Sequence, residues 1–213
     1  IRLSRVFDPS IPAEGNVDRQ IFFIARLPRV LTAALAGASL AAAGTVFQAL
    51  LRNPLASADT LGVSGGAALG ATAAITFHAS FALFGISAVP LASLAGSLGA
   101  LGVVYALTTA RRRGMGTTGL LLAGIALNAF FSAVVLFVQS LAQAAETFRT
   151  VRWLMGSLDV AGYAPIVAAA PLLGVAAIGL ASLPRTLDVL TLGREAAAAR
   201  GVDVRRTERI ALV

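Results

Sequence analysis

The chain has no cysteine, no lysine and a single histidine, His78. Without cysteine there is neither a disulfide framework nor a thiolate metal site. Without lysine there is no GxxxxGK[ST] phosphate loop, and one histidine cannot build an HExxH zinc motif. No catalytic, metal or cofactor constellation is present, so the chain itself is not expected to hydrolyse ATP, and His78 reads as a side chain near a span end. Charge is scarce too: 13% of 213 residues are charged and 57% are hydrophobic. Soluble domains carry about 25% charged residues, so an ordinary soluble domain is excluded.

The net charge of +7 comes entirely from arginine. These arginines flank apolar segments instead of forming a stripe with interleaved aromatics, which argues against nucleic acid. The first residues, Ile1 to Asn16, are polar and broken by Pro9 and Pro12, unlike a signal peptide. The absent initiator Met, and an end at Val213 inside a new apolar run, suggest a fragment.

Uncharged runs do the opposite of what charge does: they cover 30–51, 60–110, 114–145 and 160–184. A hydrocarbon core about 30 Å thick takes roughly 20 apolar helical residues to cross. The second run is too long for one crossing, and the stretch from Phe84 to Pro90 offers a turn, so five spans are expected, at about 30–51, 60–79, 87–110, 118–140 and 163–183. If they alternate, the 52–59 and 111–117 loops and the tail from 184 share one side with ten arginines, including the cluster Arg111-Arg112-Arg113. The positive-inside rule makes that side cytoplasmic. Residues 1–28, the turn near 80–86 and the 141–162 segment then face outward. That last segment, with Glu146, Arg149, Arg152 and Trp153, reads as a short amphipathic helix near the interface.

The span interiors hold no Asp, Glu, His or Lys. Ion-coupled carriers keep such residues at membrane depth as coupling sites, so a separate motor is expected to supply the energy. The alternative is an ion-coupled secondary carrier or channel, with its charges on other spans. Gly62, Gly66 and Gly70 at four-residue spacing, and Gly96, Gly99 and Gly102 at three, suit close helix packing. Gly65-Gly66 weakens the helix locally, and a bend early in the second span is expected. After Pro184 the sequence reads as two short helices joined at Gly193, the second built on four alanines and stopped at Gly201. Such an element on the cytoplasmic face suits docking into another protein's groove.

Ordered motifs sharpen this reading. They are Arg26-Leu27-Pro28-Arg29, the stretch from Gly44 through Gln48 to Asn53-Pro54-Leu55-Ala56, and Leu61-Gly62-Val63-Ser64-Gly65-Gly66-Ala67. Leu120 to Ala126, Arg152-Trp153-Leu154-Met155-Gly156-Ser157-Leu158 and Leu192-Gly193-Arg194-Glu195 with Gly201-Val202 complete the series. Over some 180 residues the chain resembles the FecCD family of ABC importer permeases, which import iron-siderophores, haem and cobalamin. The resemblance implies an all-α polytopic membrane protein of the BtuC-like type in the bacterial cytoplasmic (inner) membrane. The family has ten spans, of which this chain would hold the second to sixth: 1–28 external, 30–183 membrane-spanning, 186–203 cytoplasmic coupling helices and 205–213 the start of the next span.

The resemblance also implies partners and roles. The partners are a second copy of the chain, two cytoplasmic ABC ATPase subunits that bind ATP and Mg, an external substrate-binding protein and membrane lipid. Arg26 and Arg29 match the arginines that receive acidic side chains of the binding protein. Asn53 and Leu55 match one cytoplasmic gate, and Thr117 and Thr118 the second. Leu192, Gly193, Arg194, Glu195 and Ala197 match the ATPase-coupling helices. The fifth span lines the pathway in the dimer, where Asn128, Ser132 and Gln139 offer neutral hydrogen bonds; the same spacing also suits helix-to-helix contacts.

Overall fold

The computed structural model describes residues 3–8, 12, 15–83, 85–110, 117–158, 160, 162–201, 204 and 207, with backbone only at 3, 4, 108–110, 117, 118, 194 and 195. The Arg111–Arg113 cluster and nearly all of the 205–213 segment expected to open another span lie outside them. The elements are α1 (Leu3–Val6), α2 (Val17–Gln20), a π-helical stretch (Ile21–Arg26), α3 (Leu27–Leu51), a 3-10 turn (Ala58–Leu61), α4 (Val63–Thr76), β1 (Ala82–Leu83), β2 (Ile86–Ser87), α5 (Ala88–Ala110), α6 (Thr117–Ser140), α7 (Ala144–Leu154), α8 (Ala164–Ala181), α9 (Pro184–Thr191) and α10 (Arg194–Ala199). The two strands form a minimal antiparallel hairpin, pairing Ala82 with Ser87 and Leu83 with Ile86. It occupies the turn expected between the second and third spans, and otherwise the described chain is helical.

Among the described residues, four helical segments are long and apolar enough to cross a membrane: Val17–Leu51, Ala88–Leu107, Gly119–Ser140 and Ala164–Ala181. The first is a continuous rod of 35 residues, about 52 Å long, and it begins well before the span expected at 30–51. Asn16 starts it: its Oδ1 accepts from the Arg19 N–H at 3.1 Å, and its Nδ2 donates to the Arg5 carbonyl at 2.6 Å, folding α1 back onto the rod. Phe7, Phe22 and Phe23 pack edge to face there.

The expected second span is shorter than its apolar run. Helix α4 has 14 residues, about 21 Å, because the 3-10 turn breaks the chain before it and Gly62 stands between the two at φ +79°. The bend thus falls at Gly62, and α4 runs unbroken through Gly65-Gly66, correcting the expectation for that pair. Gly66 is needed for a different reason: a Cβ there would run into the backbone of Gly96 and into Ala100, and one at Gly70 into the backbone of Ala92. Helices α4 and α5 therefore touch backbone to backbone, the contact that replaces the hydrophobic effect in lipid. Of the second glycine row, Gly96 takes part, while Gly99 and Gly102 have open space around them.

The helices alternate in direction. The end of α3, the start of α4, the end of α5 and the start of α6 meet in one apolar cluster of Leu51, Ala56, Leu61 and Val104, with Phe47, Leu120 and Leu127 against it. By contrast α8 is buried nowhere along its span and α3 hardly at all. Apolar faces of that length, bare in the chain alone, are those of a polytopic membrane protein.

Candidate functional site

At the end where α3 stops, the chain turns sharply. Arg52 adopts the left-handed conformation at φ 47°, and the Asn53 N–H reaches back to Gln48 O at 3.2 Å, closing the helix. Asn53 Oδ1 then accepts from the Leu55 N–H at 3.0 Å, and its carbonyl accepts from Ala56 N at 3.0 Å around Pro54. Proline presets its own φ and keeps Asn53 out of helix. The outcome is a rigid turn that presents Leu55, 84% exposed, to its surroundings. Thr117 and Thr118, the expected second gate, open α6, with their side chains outside the described residues.

Helices α9 and α10 sit against this same end. Leu183, Leu187, Leu190 and Ala197 form one buried cluster with Val46 and Ala49 of α3. The two short helices meet at Gly193, whose φ of +116° and ψ of 155° suit only glycine. A Cβ on Gly193 would stand 3.4 Å from Arg52 Nη1, so the hinge of the pair lies beside the arginine that ends α3. Of the residues expected to couple to an ATPase, Leu192 is exposed, whereas Ala197 is fully buried and anchors the segment. Arg194 and Glu195 open α10 and are described by backbone alone. Gly201 follows Arg200 at φ +79°, the left-handed stop expected there.

The opposite end carries Arg26 and Arg29, both exposed. Arg29 Nε donates to Leu158 O at 3.1 Å. One turn away, Gly162 N–H donates to Ile24 O at 3.0 Å. That carbonyl is available because Pro28, four residues on, has no N–H to offer it. The segment after α7 is thus strapped to the rod at two points, and the arginine pair divides: Arg26 has no partner among the described residues, and Arg29 holds the strap. Sequence reasoning missed the strap, although a proline four residues after an apolar position was its one visible sign.

Also at this end, α7 is fastened to α4. Glu146 is buried; its Oε2 accepts from Gln143 N at 2.7 Å, capping α7, and its Oε1 lies 3.1 Å from His78 Nε2. His78, exposed two residues beyond the end of α4 as expected for a side chain near a span end, therefore has a carboxylate partner. Among the described residues no group of three or more His, Asp or Glu could hold a metal.

Asn128, Ser132 and Gln139 lie along one face of α6, with Asn128 at mid-helix and Gln139 one residue from its end. The structure separates them. Asn128 Nδ2 donates to the Asp59 carbonyl of the 3-10 turn. Ser132 is exposed and Gln139 half-buried. Gly124, one turn before Asn128, lets Thr60 O approach the α6 backbone.

The model of the FecCD transport family matches residues 1–213. An uncharacterized ABC transporter permease protein, YvrB of Bacillus subtilis, is 32% identical over 207 residues, covering 97% of this chain and 58% of its own. The cobalamin import system permease protein BtuC of Halobacterium salinarum is 40% identical over 187 residues, covering 88% and 49%. A solved structure, described as a metal-chelate-type ABC transporter in an inward-facing conformation, superposes with a TM-score of 0.80 at 32% identity, covering 95% of this chain and 63% of that one. The chain thus spans about half the length of the curated relatives it matches.

Proposed function

The chain belongs to the FecCD transport family, and we propose that it supplies spans of the membrane subunit of a binding-protein-dependent ABC importer for a metal chelate. In this reading two copies form the pathway, which opens alternately to the two sides of the cytoplasmic membrane. Four spans are the long apolar helices, and α4 is a fifth, shortened because the 3-10 turn completes its crossing inside the bundle.

One observation carries the mechanism. The paired helices α9 and α10 are built onto the last turns of α3, beside the Asn53-Pro54-Leu55 turn. An ATPase that pushes on Leu192 or on the start of α10 would move the end of α3 and the exposed Leu55 with it. Motor docking and gate are then one mechanical unit, with Gly193 and Arg52 at the joint. At the other end, Arg26 offers a permanent guanidinium to a carboxylate of the binding protein, a pairing that orients as well as attracts. Asp, Glu, Lys and Arg are absent from 30–51 of the first rod and from Ala88–Leu107, Gly119–Ser140 and Ala164–Ala181, which favours energy delivered by a partner over an ion gradient.

The test is uptake by the complete permease in proteoliposomes, with its ATPase and binding protein, against labelled haem, cobalamin and ferric siderophores. Accumulation of one cargo that needs both ATP and the binding protein is expected. Uptake driven by an ion gradient without ATP would overturn the reading.

A further inference from the structure

A cleft of about 630 Å³ opens between the last turn of α4, the first turn of α5 and α7, lined by Ile75, Ser87, Pro90, Arg149, Arg152 and Trp153 among others. A smaller hollow of about 270 Å³ adjoins it and shares Arg149. We propose that this cleft seats the phosphate headgroup of an anionic phospholipid. This assignment is independent of the cargo and of the motor.

Depth is the first argument. Ile75 lies one residue from the end of α4, Pro90 is the third residue of α5, and α6 ends four residues before α7 begins. The cleft therefore lies where the apolar helices emerge from hydrocarbon, the level of lipid phosphates, and a tryptophan at its wall is the side chain enriched there. Charge is the second. Arg149 and Arg152 are one turn apart and have no ion pair among the described residues, since the nearby Glu146 carboxylate is taken by Gln143 and His78. Two guanidinium groups offer the bidentate geometry that phosphate accepts. The third is the apolar stripe beside them: Phe148 and Val151 of α7 and Met155, which caps it, are 70%, 45% and 82% exposed. Headgroup cations next to a bare apolar stripe on a short helix match a lipid, with phosphate at the arginines and acyl chain along the stripe.

The experiment is native mass spectrometry of the full-length permease in detergent, titrated with phosphatidylglycerol, with phosphatidylcholine, and with inorganic phosphate. Preferential retention of phosphatidylglycerol is expected. It should weaken by about 30-fold in R149Q/R152Q, at roughly fivefold for each cation near the headgroups, and stay unchanged in R19Q, a cation outside the cleft. A thermal melt of each variant checks folding, and retention by the unaltered protein should fall as salt is raised. Equal retention of the two lipids, full retention by a folded R149Q/R152Q, a flat salt dependence, or displacement by millimolar inorganic phosphate would each overturn the lipid assignment.

Discussion

The side-chain amide of Asn128, midway along α6, donates to the backbone carbonyl of Asp59. That carbonyl already accepts from the Gly62 N–H at 3.2 Å, so the Asn128 amide takes its second lone pair and ties the 3-10 turn to α6. Gly65 and Gly124 make room on either side: a Cβ at Gly65 would lie 2.7 Å from Asn128 Oδ1.

Replacing Asn128 with alanine should therefore lower the stability of the folded permease, by about 1 kcal/mol for one lost hydrogen bond between the turn and α6. Melting in detergent checks it. If Asn128→Ala melts like the parent but loses uptake, the residue serves the pathway and not the fold.

The arginine pair should separate in the same way. Arg26→Glu is expected to weaken association with the binding protein and to flatten its salt dependence, while leaving the melting temperature alone. Arg29→Ala should do both kinds of damage, because removing Nε frees the Leu158 strap; an exposed hydrogen bond of this kind contributes about 1 kcal/mol. Binding at several ionic strengths, with melts in parallel, reads both. Unchanged binding in Arg26→Glu would remove the docking role.

Gly193→Ala places a side chain at φ +116°, a strain of about 1–3 kcal/mol confined to the α9–α10 joint. Association with the ATPase and its stimulation by cargo are expected to fall several-fold. Leu192→Ala, at an exposed position, should weaken the same association without shifting the melt, whereas Ala197→Glu should unfold the segment from α3. An unaltered ATPase affinity in Leu192→Ala would argue against this surface as the contact.

At the turn, Leu55→Ala removes an exposed apolar side chain and leaves the Asn53 hydrogen bond in place. Passive leak of substrate from liposomes should rise with no loss of stability if Leu55 closes a pore. Asn53→Ala removes the turn's hydrogen bond as well and should both leak and melt earlier. No change in leak in either variant would leave Asn53 and Leu55 as turn residues alone.

Much of this was legible in the residues by themselves. Long uncharged runs announce membrane helices because hydrocarbon tolerates little charge and about 20 residues cross it. The ordered motifs from Arg26 to Val202 identify the family, and the spacing around Gly193 and Gly201 announces two short helices, because backbone conformation there is set locally by glycine. What the sequence could not state is which partner each group chooses. The Pro28 gap is visible in the chain, but only the tertiary structure supplies Gly162 to the carbonyl it leaves open. Likewise Asn128 reads equally as pathway or packing until α6 is laid beside Asp59, and His78 looks solitary until α7 folds Glu146 onto it. The length of an apolar run bounds a span without locating its ends, so α4 is cut short by a 3-10 turn and the first helix is lengthened by an asparagine cap. Local propensity and hydropathy act along the chain and are written in it. Hydrogen bonds between residues 69 and 129 positions apart exist only once the helices have packed.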